Sequence, residues 1–142
     1  MTTRRWSGCG AASERRDVLT DTTFWIDLLQ ERRVGRRGAV SDFLTRHRGC
    51  ELCLCMITWG ELAEGFPDFE ELDRLLRGVR VLTLPRQIAW EASRIQRELV
   101  AAGRRLGEND CWIAATARAW GHRLVSRNRA FGRVRGLTVV PY

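Results

Sequence analysis

Three acidic side chains stand where an α/β protein could hold a hard cation. Asp21 closes DVLTD (17–21), which reads as a short buried strand. Glu61 lies in TWGELAEGF, a helix opening just after the apolar strand ELCLCMI (51–57). Asp110 sits in LGENDCWIAATARAW (106–120), where Glu108, Asn109 and Asp110 crowd the start of an otherwise greasy helix. In open α/β sheets the ligand crevice forms at the carboxyl ends of the strands, so strand-to-helix junctions are where sites are built. Acids that converge in such a crevice repel one another, and protonation or a bound cation relieves the repulsion. Oxygen ligands with no histidine or thiolate beside them suit Mg²⁺ or Mn²⁺.

Each acid also has a purely structural reason to be where it is. Thr58 and Glu61 spell T-x-x-E, the pattern of a capping box. Asp21 could cap the helix that follows it. Asp110, with Asn109 as the cap, would gain ~0.3–1 kcal/mol from the helix macrodipole. Capping explains each acid taken singly, and less readily the three together.

The elements that must position these acids alternate between strand and helix. TTFWIDLLQ continues from Asp21 with a helical apolar pattern, and SDFLTRHR (41–48) reads as a helix capped by Ser41. DFEELDRLLRG places Phe69, Leu72, Leu75 and Leu76 on one face and stops at Gly78. VRVLTLP (79–85) is a third strand ended by Pro85. RQIAWEASRIQRELVAAG is the longest helix, striped by Ile88, Ala92, Ile95 and Leu99 and stopped at Gly103. RLVS (123–126) and LTVVP (137–141) are short final strands. The alternation predicts an α/β protein with a parallel sheet covered on both faces.

Composition bounds the rest. The 142 residues make one domain, and an apolar fraction of 44% is enough for one core. Residues 1–16 have no periodicity and are rich in Arg, Ser and Gly, so they read as a tail before a domain spanning 17–142. No apolar run approaches the ~20 residues of a membrane span, and no secretory core is present, so the expected location is cytoplasmic. Cysteines 9, 50, 53, 55 and 111 lack a second C-x-x-C or a histidine pair, which favours buried reduced thiols over zinc. His47 and His122 lie outside every motif and read as surface residues.

The net charge is +7, and all 24 basic residues are arginine. Such a domain attracts nucleic acid or an acidic protein partner, although a merely solubilising surface fits the charge as well. The absence of lysine removes an essential group from a P-loop ATPase, a receiver domain and a haloacid-type phosphatase. GCGAAS (8–13) lacks the last glycine and the preceding strand of a dinucleotide fingerprint.

VLTDTTFWIDLL, ITWGELAEG, ENDCWIAATARAWGHRLVSRN and GLTVVPY follow one another in the order seen in PIN-domain proteins. Over residues 17–142 the chain most resembles the VapC-type toxins of bacterial toxin–antitoxin pairs, and N-D-x-x-I-A-A-x-A followed by G-x-x-L-V-S-R-N is the most specific part. The resemblance implies a three-layer α/β/α sandwich with a mostly parallel sheet of about five strands. It implies an endoribonuclease dependent on Mg²⁺ or Mn²⁺, acting on RNA as a homodimer silenced by an antitoxin peptide.

The family's acids fall on Asp21, Glu61 and Asp110, with Asp21 and Asp110 holding metal and Glu61 a ligand directly or through water. The hydroxyl beside the site falls on Ser126. Two positions depart from the family pattern. Thr23 replaces the usual asparagine. Asn128 takes the fourth acidic position and removes one negative charge, which argues against a firmly held second metal while leaving an amide to position water. Arg104, Arg105, Arg127 and Arg129 flank the motifs and either grip RNA phosphates or form a solvated face. The rival reading is a degenerate PIN domain that binds RNA or antitoxin without cutting.

Overall fold

A computed structural model of the protein describes residues 17–142. The expected tail at 1–16, with Cys9, lies outside the described residues. Strand β1 (Val18–Thr20) leads into α1 (Thr22–Val34) and α2 (Ala39–Arg46). Then β2 (Leu52–Cys55) runs directly into α3 (Met56–Ala63), followed by α4 (Phe69–Leu75), β3 (Arg80–Leu82), α5 (Arg86–Ala101) and α6 (Glu108–Trp120). The chain ends with β4 (Arg123–Val125), a 3-10 turn at Arg129–Arg133 and β5 (Val139–Val140).

All four strand pairings are parallel, in the order β3-β2-β1-β4-β5. Alternation along each strand sends successive residues to opposite faces. Leu19, Cys53, Cys55 and Leu124 pack with Ile88, Ile95, Leu99, Ile113 and Ala114 from α5 and α6. Val18, Leu54 and Val125 pack with Phe24, Trp25, Leu28, Phe43, Leu62 and Leu72 from α1 to α4. The result is the expected three-layer sandwich. Two buried polar groups at its centre satisfy each other: Thr20 Oγ1 donates to the Cys53 carbonyl at 2.9 Å and accepts from Trp25 Nε1 at 2.8 Å.

Several local expectations need correction. The second strand stops at Cys55, and Met56 and Ile57 already belong to α3. Thr58 therefore lies inside the helix, fully buried, and no capping box forms with Glu61. Helix α2 starts two residues early, with Gly38 at its N-cap. Ser41 is not the cap: Glu31, reaching across from α1, accepts from the Val40 amide at 2.8 Å, the Ser41 amide at 3.1 Å and the Ser41 hydroxyl. Phe69, expected on the buried face of α4, is 61% exposed. Neither histidine is a surface residue: His47 stacks on Phe43 at 4.1 Å, and His122 is half-buried, its pKa lowered by desolvation.

The thiols follow the apolar reading. Cys53, Cys55 and Cys111 are buried, Cys50 is half-buried, and all four are unpaired. Burial pushes the Cys53 thiol up to about 12, so it stays protonated. No helix among the described residues is long and apolar enough to cross a membrane.

Candidate active site

The sheet order reverses direction at β1, whose successor in sequence lies on one side and β4 on the other, and crevices open at such switch points. Asp21 follows β1 and Ser126 follows β4, and the Thr20–Val125 register sets the two side by side. Asp21 is 3% exposed. Its Oδ1 accepts the Phe24 amide at 2.9 Å, capping α1, while Oδ2 accepts the Thr23 hydroxyl at 2.8 Å and the Ser126 hydroxyl. Capping and site-building thus fall on one side chain. Burial raises its pKa, against the lowering effect of these three hydrogen bonds.

Glu61 lies one turn and a half into α3 and links two helix openings. Its Oε1 accepts the Thr22 hydroxyl at 2.6 Å, and its Oε2 accepts Asn109 Nδ2 at 3.4 Å. Asn109 is therefore not a cap; Gly107 holds that position, and Asp110 lies in the first turn of α6. The Asp110 pKa is raised by burial first, then by the charges of Glu61 and Asp21. The three acids, 40 and 49 positions apart along the chain, share one electrostatic neighbourhood.

None of the three forms an ion pair among the described residues. As they stand they also do not close on a single point: no three His, Cys, Asp or Glu side chains among the described residues make a cluster tight enough for a metal. The donor chemistry nevertheless fits a hard divalent ion, being all oxygen, anionic and partly desolvated. Asp110 has no hydrogen-bond partner for its carboxylate among the described residues and is free to turn inward.

Ser126 is buried and accepts the Asn128 amide at 2.9 Å while donating to Asp21. The Asn128 side-chain oxygen is occupied otherwise, accepting the Ala130 amide at 3.0 Å to cap the 3-10 turn. Ser126, Asn128, Arg127 and Arg129 line one open pocket of about 420 Å³ beside the acids. Arg127 is also ion-paired, its Nε 2.7 Å from Asp27 Oδ2. Arg104 lines a different hollow with Arg133 and Arg135, and Arg105 is exposed on the same loop. The four expected arginines do not form one patch.

Sequence reasoning missed the supports. Thr22 and Thr23 orient Glu61 and Asp21, and Tyr142 donates to Asp27 at 2.7 Å and lies 3.4 Å from the Thr23 hydroxyl. The paired threonines after Asp21 were the available signal. Tyr142 had none, because its contacts with Asp27 and Phe24 bridge more than a hundred positions.

The PIN domain model matches residues 18–137. No curated protein matches the sequence significantly. Among solved structures, VapBC2 from Rickettsia felis, bound to a DNA fragment from its promoter, superposes with a TM-score of 0.74 at 18% identity, covering 87% of this chain and 97% of that one. DNA-bound VapBC from Salmonella typhimurium gives 0.72 at 23% identity, with 89% and 98% covered. VapBC-1 from nontypeable Haemophilus influenzae gives 0.68 at 26% identity, with 87% and 96% covered.

Proposed function

The chain belongs to the PIN-domain family, and from that premise we propose that it is the toxin of a type II toxin–antitoxin pair, a divalent-metal-dependent endoribonuclease. The observation that carries the reading is the set of three carboxylates, Asp21, Glu61 and Asp110, sharing one electrostatic neighbourhood at the sheet's switch point with no ion pair to any of them among the described residues. The likeness to VapBC complexes supports the toxin assignment and an antitoxin partner.

In this reading Asp21 and Asp110 hold Mg²⁺ or Mn²⁺, with Glu61 completing the set. When bound, such an ion supplies a water of lowered pKa and neutralises charge on the phosphate. Thr23 and Ser126 fix the rotamer of Asp21, so its position costs no reorganisation during the reaction. Thr22 and Asn109 do the same for Glu61. Asn128 shapes the adjoining pocket through its turn, and Arg127 and Arg129 offer guanidinium groups to the phosphates on either side of the cut. Arg104 and Arg105 meet the RNA farther out. The toxin works as a homodimer in the cytoplasm, silenced when its antitoxin crosses the groove.

A second reading, binding of RNA or antitoxin without cleavage, is favoured by one observation: the fourth acidic position is Asn128, and its oxygen is engaged in a cap. Cleavage of a panel of structured RNAs, tRNA included, by wild type, Glu61→Gln and Asp21→Asn with Mn²⁺ and with EDTA separates the two. Nuclease activity predicts cutting by wild type in Mn²⁺ alone. Equal cutting by all three proteins would point to a contaminant, and binding without cutting by any of them would favour the second reading.

A further inference from the structure

Far from the acids, two tryptophans face water on the α5–α6 layer. Trp90 is 63% exposed and Trp120 is 37% exposed. Large aromatics left this open to water commonly mark a binding face. The two indoles line one open hollow of about 620 Å³ with Arg86, Gln87 and Ala119.

The setting is cationic. Arg86, Trp90, Arg94 and Arg97 recur at i, i+4, i+8 and i+11 along α5, which puts them on one exposed stripe. The Arg97 guanidinium lies over the Trp90 ring, 5.1 Å from its centroid. Glu91 is the one acid lining the hollow, and it is engaged by Arg94 at 3.3 Å and by Arg118. Flat π-surfaces flanked by Arg86 and Arg97 match a single-stranded nucleic acid, whose bases stack on aromatics and whose phosphates pair with guanidinium groups. An apolar protein anchor seeking the same hollow would have to desolvate that arginine rim.

We infer that the Trp90–Trp120 face is a second nucleic-acid contact, a stacking platform for a single-stranded segment of the RNA. The inference rests on RNA being the ligand, as proposed above, but uses none of the residues assigned to cleavage. Trp120 lies ten positions beyond Asp110 on α6, about 15 Å along the axis. A strand of about four or five stacked nucleotides, at ~3.4 Å each, would reach from one to the other. The platform therefore selects substrates with an unpaired stretch beside the cut.

The test is fluorescence anisotropy with a labelled single-stranded RNA of about twelve nucleotides, in EDTA so that nothing is cut. Wild type should bind, and Trp90→Ala/Trp120→Ala should bind at least about tenfold more weakly. Trp90→Phe should keep most of the affinity because it keeps a stacking face. Arg86→Gln/Arg97→Gln, which leaves both indoles in place, should weaken binding and flatten its salt dependence by roughly 0.7 per lost contact. Wild-type affinity in the tryptophan and arginine double variants would overturn the platform while leaving the nuclease reading intact. A changed oligomeric state on gel filtration with unchanged RNA affinity would overturn it too, reassigning the face to contact between copies. No RNA binding by wild type at low salt would remove both the platform and the RNA reading.

Discussion

The two ends of the parallel sheet carry acids in similar number and treat them in opposite ways. At the amino ends of the strands, Arg80 pairs with Glu51 and lies 3.9 Å from Asp17, with His122 close by. Burial and then Glu51 raise the Asp17 pKa, and Arg80 and His122 offset only part of that rise. At the carboxyl ends, Asp21, Glu61 and Asp110 meet hydroxyls, amides, one another and Asp27, and form no ion pair among the described residues. A fold that needed those three merely for stability would set a cation beside them, as it sets Arg80 beside Asp17 and Glu51. A cation set beside the acids at one end and not at the other is the arrangement the proposed metal-dependent reading calls for at the carboxyl end.

That contrast can be broken most forcefully by removing single charges from the uncompensated end. Asp21→Asn and Asp110→Asn should each lower RNA cleavage by about a hundredfold or more. Asp110→Asn should melt in metal-free buffer at or near the wild-type temperature, whereas Asp21→Asn should melt somewhat lower, because its Oδ2 accepts two hydroxyls that an amide nitrogen cannot accept. A cleavage rate within a factor of two of wild type would put the chemistry elsewhere.

Next in size is the response to the ion itself. Mn²⁺ at ~100 times its Kd should stabilise wild type by about 2.7 kcal/mol in thermal melts, and the two variants should lose most of that gain. An equal gain in all three proteins would locate the ion away from these acids.

At the compensated end the expectation reverses. Arg80→Gln leaves Asp17 and Glu51 facing each other and should cost ~1–2 kcal/mol, discounted because the pair is partly exposed. Cleavage per folded molecule should not change. A stable but inactive Arg80→Gln protein would erase the distinction between the two ends.

The smallest effect belongs to an acid at neither end. Glu31 is slightly desolvated, which raises its pKa, but hydrogen bonds from Ser41, Val40 and Gly38 outweigh that and lower it below the ordinary 4.5. A lowered folded pKa means stability that is present above the unfolded value and lost as pH falls through the folded one. Glu31→Gln should therefore cost ~0.5–1 kcal/mol at neutral pH and almost nothing once the pH has fallen below the lowered folded pKa. A cost that persists in acid would show that shape, rather than charge, caps α2.

The layers and the acids were legible because their signals are local. The stripe Ile88, Ala92, Ile95, Leu99 is buried throughout, and Asp21 stands at the end of its strand as read. What could not be read depends on neighbours distant in sequence. T-x-x-E around Thr58 imitates a cap, but β2 passes into α3 without a loop, so the helix has begun before the threonine. The Ser41 cap failed because a carboxylate on the preceding helix reached it first. The role of Tyr142 depends on a tertiary contact with α1, which no periodicity announces.

The bond between Asp21 and Ser126 spans 105 positions, and β4 is the strand that brings it about. A ribosome releases Asp21 and Glu61 long before Arg123–Ser126 emerge, so a half-made chain has its first two acids but not the wall that holds them. Non-local pairing of this kind forms late. For most of its synthesis the polypeptide therefore carries its first two acids without the wall that completes the crevice, which takes shape only as β4 emerges.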